Sequence, residues 1–450
     1  MWDIREAARA IGAELLRPRP PYRITGAACD SRRVRPGELF VAIVGKRHDG
    51  HDFLEEAFAR GAAGALVSRD PGVGHNLVLV EDTVAALWEL ARWRRESLSM
   101  PTVGITGSFG KTTSKELLAA ALGSRFAVYR APESFNTEIG VPLAVLSVPD
   151  DVEIAVFELG MSGRGEIARL CELVRPWAGL ITGVGEAHLG PLGSREEIAA
   201  AKWELAQALP EEGVLVLAWD HPELRARVED CQALCLRFGH DPSADFHPRS
   251  IVASDPQGVR FVLESPAGSF KVKLKLLGRH VAVLASGVLA LAWAMGVPLE
   301  AAVPALGQVS PLPHRLHLIP TWFGWLLDDC YNANPQSVRA ALETLVSLRL
   351  PVRRRAVLLG DMLDLGPREG ELHREVVSLM VRMGVDALYA YGPRTSRAWN
   401  AVWKGEGMAS EELDPLLERI REDLRGAPAL LLVKGSRGMA LERAVEALRE

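Results

Sequence analysis

Thr102-Val103-Gly104-Ile105-Thr106-Gly107-Ser108-Phe109-Gly110-Lys111-Thr112-Thr113 is the stretch that decides the fold of this chain. Its first five residues make a short β-rich run. Ser114 to Leu122 read as a helix former with Gly123 placed as its C-cap, so the glycines sit between strand and helix. That is the setting of a triphosphate-binding loop. Glycine lets the backbone approach phosphate closely, and the N–H groups at a helix start point at negative charge. Lys111 neutralises the outer phosphates, and the Thr112 hydroxyl can ligate magnesium. Gly107, Ser108, Phe109, Gly110 and Thr113 complete the cradle. The spacing departs from the strict pattern, because position 105 is Ile and the glycines stand at 104 and 107. A Gly-rich turn that only joins strand to helix is the competing reading.

The flanking sequence supplies further groups. Ile154 to Phe157 is a continuous apolar run suited to a parallel strand, and it ends in Glu158, at the edge where ligands of open α/β sheets bind. A carboxylate there can hold the metal. Ala178 to Thr182 is another such strand and runs into Gly183-Val184-Gly185-Glu186-Ala187-His188, which brings a neutral imidazole to the same edge. Ser194-Arg195-Glu196-Glu197 reads as a capping box that starts a helix, and Pro210 stops it. On that helix Ile198, Lys202, Leu205 and Leu209 share one face, so Lys202 lies on the apolar stripe. Desolvation lowers an amine's pKa and opens it to carbamylation by carbon dioxide, after which it is an anionic oxygen ligand. Snorkelling along the lysine stem is the alternative.

Composition adds weaker support. Only nine of the 52 basic residues are lysine, so arginine carries the ordinary positive charge and a lysine in a loop or core stands out. Lys271, Lys273 and Lys275 mark the limit of this reasoning. They alternate with Val272 and Leu274 and read as the solvated face of a strand.

With 450 residues, 48% hydrophobic and 24% charged, the chain predicts a multidomain globular enzyme with ample core. A net charge of −5 argues against a nucleic-acid surface, and Arg353-Arg354-Arg355 reads as a solvated face. Five cysteines and no secretory start in Met1-Trp2-Asp3-Ile4-Arg5-Glu6 predict a cytoplasmic location, with Cys231 and Cys235 as core thiols. Val281 to Leu299 carries no charge, but Gly287, Gly296 and Pro298 interrupt it. A helix buried behind the central sheet is expected there, not a membrane span. Changes of pattern divide the chain into a small α/β unit at 1–82, a central domain at 83–309 and a third domain at 310–450. In the last, Trp325 to Leu327, Ala356 to Leu359 and Leu430 to Val433 alternate with helices. They suggest a second open parallel sheet, in which Asn334 and Pro335 supply an N-cap and N1.

At this point the chain resembles the Mur ligases, which add amino acids to the bacterial cell-wall precursor. The residues that carry the resemblance run nearly end to end. They include Asp30-Ser31-Arg32, Asp49-Gly50-His51-Asp52-Phe53, Asn136-Thr137-Glu138-Ile139-Gly140 and Glu158-Leu159-Gly160-Met161. Ala201-Lys202-Trp203-Glu204-Leu205, Asp328-Asp329-Cys330-Tyr331-Asn332-Ala333-Asn334-Pro335, Leu359-Gly360-Asp361-Met362 and Val433-Lys434-Gly435-Ser436-Arg437 continue the series. The resemblance implies a three-domain α/β architecture. A central P-loop parallel-sheet ATPase domain would be flanked by a small N-terminal nucleotide-sugar domain and a C-terminal Rossmann-like domain.

It also implies an activity. The chain would be an ADP-forming ligase that joins D-alanyl-D-alanine to UDP-N-acetylmuramoyl-tripeptide through an acyl phosphate, with diaminopimelate or lysine as the third residue of the tripeptide. ATP would be held by the loop with Lys111, and by Asn332, Arg315 and Asp329. Two magnesium ions are implied, one on Thr112 and Glu158, the other on His188 and carbamylated Lys202. Ser31, Arg32, Asp49, His51, Asn136, Thr137, Tyr331, Asn334, Lys434 and Arg437 would bind the substrates. A monomer is expected. Some positions depart from the family pattern: Thr137, Val281 and Leu284 stand where asparagines are usual, and His314 precedes Arg315 where glycine is usual. In the family the position of Val281 commonly helps to hold the adenine, so Val281 and Leu284 imply an altered adenine contact. Two rivals stay open at this level, a sister ligase for a diamino acid or for folate and glutamate, and a nucleotide-binding protein without turnover.

Overall fold

The computed structural model describes residues 1–132, 135–186 and 189–449, with Pro191 by its backbone alone. The Thr102–Thr106 run is a strand at the centre of a six-stranded parallel sheet, and all five of its residues are buried. On one side it pairs with Ile154–Glu158 and then Val128–Arg130; on the other lie Ala178–Ile181, Val214–Ala218 and Leu234–Phe238. The chain therefore leaves the first strand and returns on either flank of it, which makes the loop after Thr106 a topological switch point. Near-continuous apolar strands are what a sheet covered on both faces requires.

Helix Lys111–Gly123 follows the loop and packs against Arg279–Ala294 and Leu299–Leu306. The uncharged segment Val281 to Leu299 is not one helix: it fills most of Arg279–Ala294, turns at Gly296 and Pro298, and ends at the first residue of Leu299–Leu306. Eleven of the 16 residues of Arg279–Ala294 are buried, against the central sheet and a three-stranded antiparallel meander, His247–Asp255, Gly258–Ser265 and Gly268–Leu274. Among the described residues no helix is long and apolar enough to cross a membrane. Lys271 and Lys273 lie on the solvated face of the last meander strand and Lys275 follows its end, all three exposed, with Val272 and Leu274 buried between them.

The N-terminal sheet has the order Glu14–Leu16, Leu77–Leu79, Gly64–Val67, Leu39–Val41, Ala27–Ala28, parallel except at its first pair. The C-terminal sheet runs His317–Thr321, Gly324–Asp328, Ala429–Lys434, Arg354–Gly360, Ala387–Tyr391, Glu406–Ser410 and is parallel beyond its first hairpin. Its switch point lies at Gly324–Asp328 and Ala429–Lys434, neighbours that are consecutive in space and distant in sequence. Asn334 caps the following helix in a reciprocal capping box with Ser337, and Pro335 is its first residue.

Some local expectations are corrected. Gly123 does not cap its helix; the helix runs through it and closes at Ser124, whose hydroxyl bonds the Ala121 carbonyl. Ser194 accepts from the Glu197 N–H, but the Glu197 carboxylate turns to Arg164, so only half of the capping box forms. Arg354 and Arg355 are not idle surface charge. Arg355 bonds the carbonyls of Leu345 and Leu348 at a helix end, and Arg354 bonds the Asp423 carbonyl and the Glu406 carboxylate. Cys231 and Cys235 are half-buried, at a turn and on a strand.

Candidate active site

The phosphate loop is shaped by two glycines. Gly107 has φ +151°, and a Cβ there would lie 1.9 Å from Thr182 Oγ1. Gly110 is left-handed at φ +73°, and Leu284 presses within 2.7 Å of where its Cβ would be. The strand end at Thr182 buttresses the turn. Its hydroxyl donates to Phe109 O at 2.5 Å, Ser108 N–H donates to Gly183 O, and Gly185 N–H donates to Ser108 Oγ at 3.0 Å. Thr182 and the Gly183–Gly185 backbone thus hold the loop open, a role that sequence reading gave to neither.

Lys111 begins the helix, half-buried, with Nζ donating to Gly107 O at 2.8 Å. Burial lowers its pKa, the charge of Glu158 opposes that shift and Arg315 adds to it. Thr112 is buried, with Oγ1 3.3 Å from Glu158 Oε2. Glu158 Oε1 has no hydrogen-bond partner among the described residues. A buried carboxylate whose Oε1 has only the Lys115 charge near it, at 3.4 Å, beside a threonine hydroxyl, is a hard-oxygen donor pair of the kind magnesium takes. Behind it stands Lys115, fully buried, donating to Ala131 O at 2.6 Å and 3.4 Å from both Glu116 and Glu158. Sequence reading took Lys115 as an ordinary helix residue. Its scarcity as a lysine and its position one turn after Lys111 were the available signals.

The loop and the switch point of the C-terminal sheet face one cleft of about 1040 Å³. Arg315 Nη2 donates to Thr112 Oγ1 at 2.7 Å, and its guanidinium lies over the Tyr331 ring at 4.2 Å. Asn334 Nδ2 reaches Ser108 O at 3.4 Å, and Gln336 Nε2 reaches Val184 O at 3.3 Å. Lys434, at the end of the neighbouring strand, is buried and pairs with Asp329 at 2.5 Å while donating to Asn332 O. Asn332 Oδ1 accepts from Ala333 N–H and Arg437 N–H. Two polar atoms of the lining, Arg315 Nε and Gln336 Oε1, join Glu158 Oε1 in lacking partners among the described residues.

Other lining residues come from elsewhere. Asn136 and Thr137 line the cleft with Trp88 and Arg169, which were not foreseen; Arg169 lies 4.5 Å over the Trp88 ring, and Trp88 Nε1 bonds Glu138 O. Thr137 Oγ1 accepts from Gly140 N–H, opening a helix. Val281 and Leu284 line it with His280, whose pKa falls to about 4 because burial and then the charge of Lys434 disfavour the imidazolium. His221 and His240 stand nearby, and burial likewise lowers the pKa of His221.

Three groups of expected residues lie outside this cleft. Lys202 is buried at 1% exposure, and its pKa is lowered well below the lysine range by burial first and by the charge of Lys111 second. Among the described residues none gives its ammonium a hydrogen bond. His188 lies outside the described residues. In the N-terminal domain the candidates are bonded locally: Ser31 to Glu56, Arg32 to Asp30, and His51 between Asp49 and the Ser68 N–H. Arg69 completes the ring on Asp49, whose carboxyl is held well below the usual range by the His51 bonds first.

Comparison with known proteins accounts for the whole length. The Mur ligase middle domain matches residues 105–292, the Mur ligase glutamate ligase domain 314–437, and the Mur ligase family catalytic domain 23–94. The UDP-N-acetylmuramoyl-tripeptide–D-alanyl-D-alanine ligase of Bacillus subtilis is 36% identical, over 96% of this chain and 95% of its own. Its Escherichia coli counterpart is 35% identical, over 94% and 93%. Among solved structures, MurF from Acinetobacter baumannii superposes with a TM-score of 0.86 at 29% identity, covering 100% of this chain and 98% of that one. MurF ligase from Thermotoga maritima in complex with ADP gives 0.80 at 30% identity, covering 95% and 97%. With matches in each of its three parts and close relatives along nearly all its length, the chain belongs to the Mur ligase family, on its MurF branch.

Proposed function

We propose that this chain is an ATP-dependent ligase that joins D-alanyl-D-alanine to UDP-N-acetylmuramoyl-tripeptide through an acyl phosphate, in cytoplasmic peptidoglycan precursor synthesis. The observation that carries the reading is the meeting of Lys111, Thr112 and Glu158 with Arg315 across one cleft. Phosphoryl transfer asks a protein mostly for charge neutralisation and positioning, and these four groups supply both. Lys111 would exchange Gly107 O for the outer phosphates. Arg315 would turn from Thr112 to the transferring group, and its open Nε gives it a further donor.

Thr112 and Glu158 would hold magnesium, which neutralises phosphate charge as the acyl phosphate forms. Lys202 fits carbamylation, since a buried amine kept neutral is the form that reacts with carbon dioxide. As a carbamate it would serve with His188 at a second magnesium. Val281 and Leu284 offer adenine an apolar wall in place of amide donors, beside His221 and His240. Asp329, Asn332, Asn334, Lys434 and Arg437 would orient the nucleotide and the incoming dipeptide. Closure of 310–450 onto 83–309 through Asn334 and Gln336 would keep water from the acyl phosphate. Residues 1–82, with Ser31, Arg32, Asp49 and His51, would take the nucleotide sugar, and the chain would act as a monomer.

The test is phosphate release from ATP and magnesium with the tripeptide substrate, with and without D-alanyl-D-alanine, and the product weighed by mass spectrometry. Release that needs both, with a gain of one dipeptide, is the expected result. ATP binding without turnover, or turnover only with another amine, would overturn the reading.

A further inference from the structure

His314 lies in the segment between helix Leu299–Leu306 and strand His317–Thr321, next to Arg315, and it holds a left-handed backbone at φ +58°, where a β-carbon is unfavourable. Its imidazole lies over the end of the Gly324–Asp328 strand. Nδ1 is 2.8 Å from Asp328 Oδ2 and 3.4 Å from Cys330 Sγ. Asp328 closes the strand, and its Oδ1 accepts from the Cys330 N–H at 3.3 Å, which holds the two side chains together. Both are buried, at 2% and 1% exposure, and His314 is half-buried. The three donor atoms lie within 4.8 Å of one another, and among the described residues no other such trio of His, Cys, Asp or Glu does.

We propose that His314, Asp328 and Cys330 form a binding site for a divalent cation of the zinc class, separate from the magnesium site at Thr112 and Glu158. One nitrogen, one sulfur and one carboxylate oxygen make a mixed donor set that suits zinc or cobalt and not magnesium, which takes oxygen. The convergence itself is informative. In a nucleophilic relay the carboxylate holds one ring nitrogen and the thiol meets the other. Here both partners meet Nδ1, which is the arrangement of a chelate. Because His314 is half-buried, water would complete the coordination.

Burial first, and then the neighbouring carboxylates led by Asp328, push the pKa of the Cys330 thiol up. Metal binding would replace the His314–Asp328 hydrogen bond by bonds from Nδ1 and Oδ2 to the ion, with the proton of that bond carried on Nε2 in the other tautomer and the Cys330 proton released to solvent as the thiolate ligates. The ion would then tie the residue before Arg315 to the residue before Asp329. Since Leu316 N–H already bonds Asp329 Oδ1 at 3.2 Å, occupancy would fix the register of both cleft-lining groups.

The experiment uses the full chain, stripped with chelator and titrated with cobalt(II) in excess magnesium. The expected result is one cobalt per chain with a sulfur-to-cobalt charge-transfer band, displaced by zinc. Cys330→Ser should abolish the band, and both it and His314→Gly should weaken binding by at least about tenfold, the lower end of what even outer-shell changes do at metal sites. Glycine suits the backbone at 314, so that variant tests ligation without a folding defect. Absence of the band from the wild-type chain, its survival in Cys330→Ser, or a smaller loss of affinity in either variant would overturn the proposal.

Discussion

Arg315 Nη2 donates to Thr112 Oγ1 at 2.7 Å, across 203 positions of sequence and between two domains. The bond places a cation against the hydroxyl that, in a phosphate loop, faces the metal and the outer phosphates. The third domain is thereby registered on the loop at the point where charge develops during phosphoryl transfer.

Arg315→Ala should lower kcat by ~10²–10³, as loss of a charge-stabilising donor does, with a smaller change in KM for ATP. Arg315→Lys should recover little, because a lysine cannot both stack on Tyr331 and fork toward two acceptors. Steady-state kinetics on both variants checks this. Equal kcat in the wild type and Arg315→Ala would show that the contact is only a feature of domain packing.

Much of this arrangement was legible in the sequence. The apolar runs ending in Thr106 and Glu158 specify parallel strands because both faces of such a sheet must be covered, and Asn334-Pro335 names its helix start by local chemistry alone. What stayed hidden depends on tertiary pairing. Thr182 bonds Phe109 only because strands 72 or more positions apart are neighbours, and Lys115 is buried only because Glu158 and Ala131 close over it. Trp88 and Arg169 meet from different helices and carry no local signature. Gly123 shows the reverse error, a glycine in the right place whose backbone stays helical because Ser124 satisfies the end.

Gly110→Ala should lower stability by ~1–3 kcal/mol, since alanine is strained at φ +73° and its methyl would fall 2.7 Å from Leu284 Cδ1. Leu284→Ala in the same chain should return part of that loss by relieving the clash, while the backbone strain remains. Urea unfolding of the two single variants and the double variant measures the coupling. Strict additivity would show that Leu284 does not press on the loop.

Lys202 is a base whose folded-state pKa is depressed, by burial and then by Lys111. The unfolded chain therefore binds its proton over a range where the folded chain does not, and stability rises with pH up to the ordinary lysine value. The neutral amine is also the form that carbon dioxide modifies. Lys202→Ala should lower kcat by about 10² or more, the scale of an electrostatic group at the reacting centre, and bicarbonate should not restore it. Wild-type enzyme freed of carbon dioxide should regain activity with bicarbonate and show a carbamate carbon by NMR with labelled bicarbonate. Unchanged activity in Lys202→Ala would remove the carbamate role.

His280 gives a pH dependence of stability with a definite sign. Burial, and then the charge of Lys434, lower its pKa from 6.5 to about 4. Between those values the unfolded chain carries the proton and the folded chain does not, so the slope of stability against pH is positive there. Stability is lost as pH falls from 6.5 toward 4, and below that window this residue adds no further loss. The loss across the window is on the order of 2 kcal/mol, reduced from the full linkage value because His280 is only partly buried and lines the cleft. Carboxylates also titrate in this range, but they do so equally in His280→Gln, which cannot take up the proton. Urea midpoints of both proteins at pH 7, 5.5 and 4.5 should therefore diverge, the wild type weakening more steeply on acidification. Parallel curves would mean that the imidazole is solvated enough to titrate normally, and the cleft around Val281 and Leu284 would then be wetter than its aliphatic lining implies.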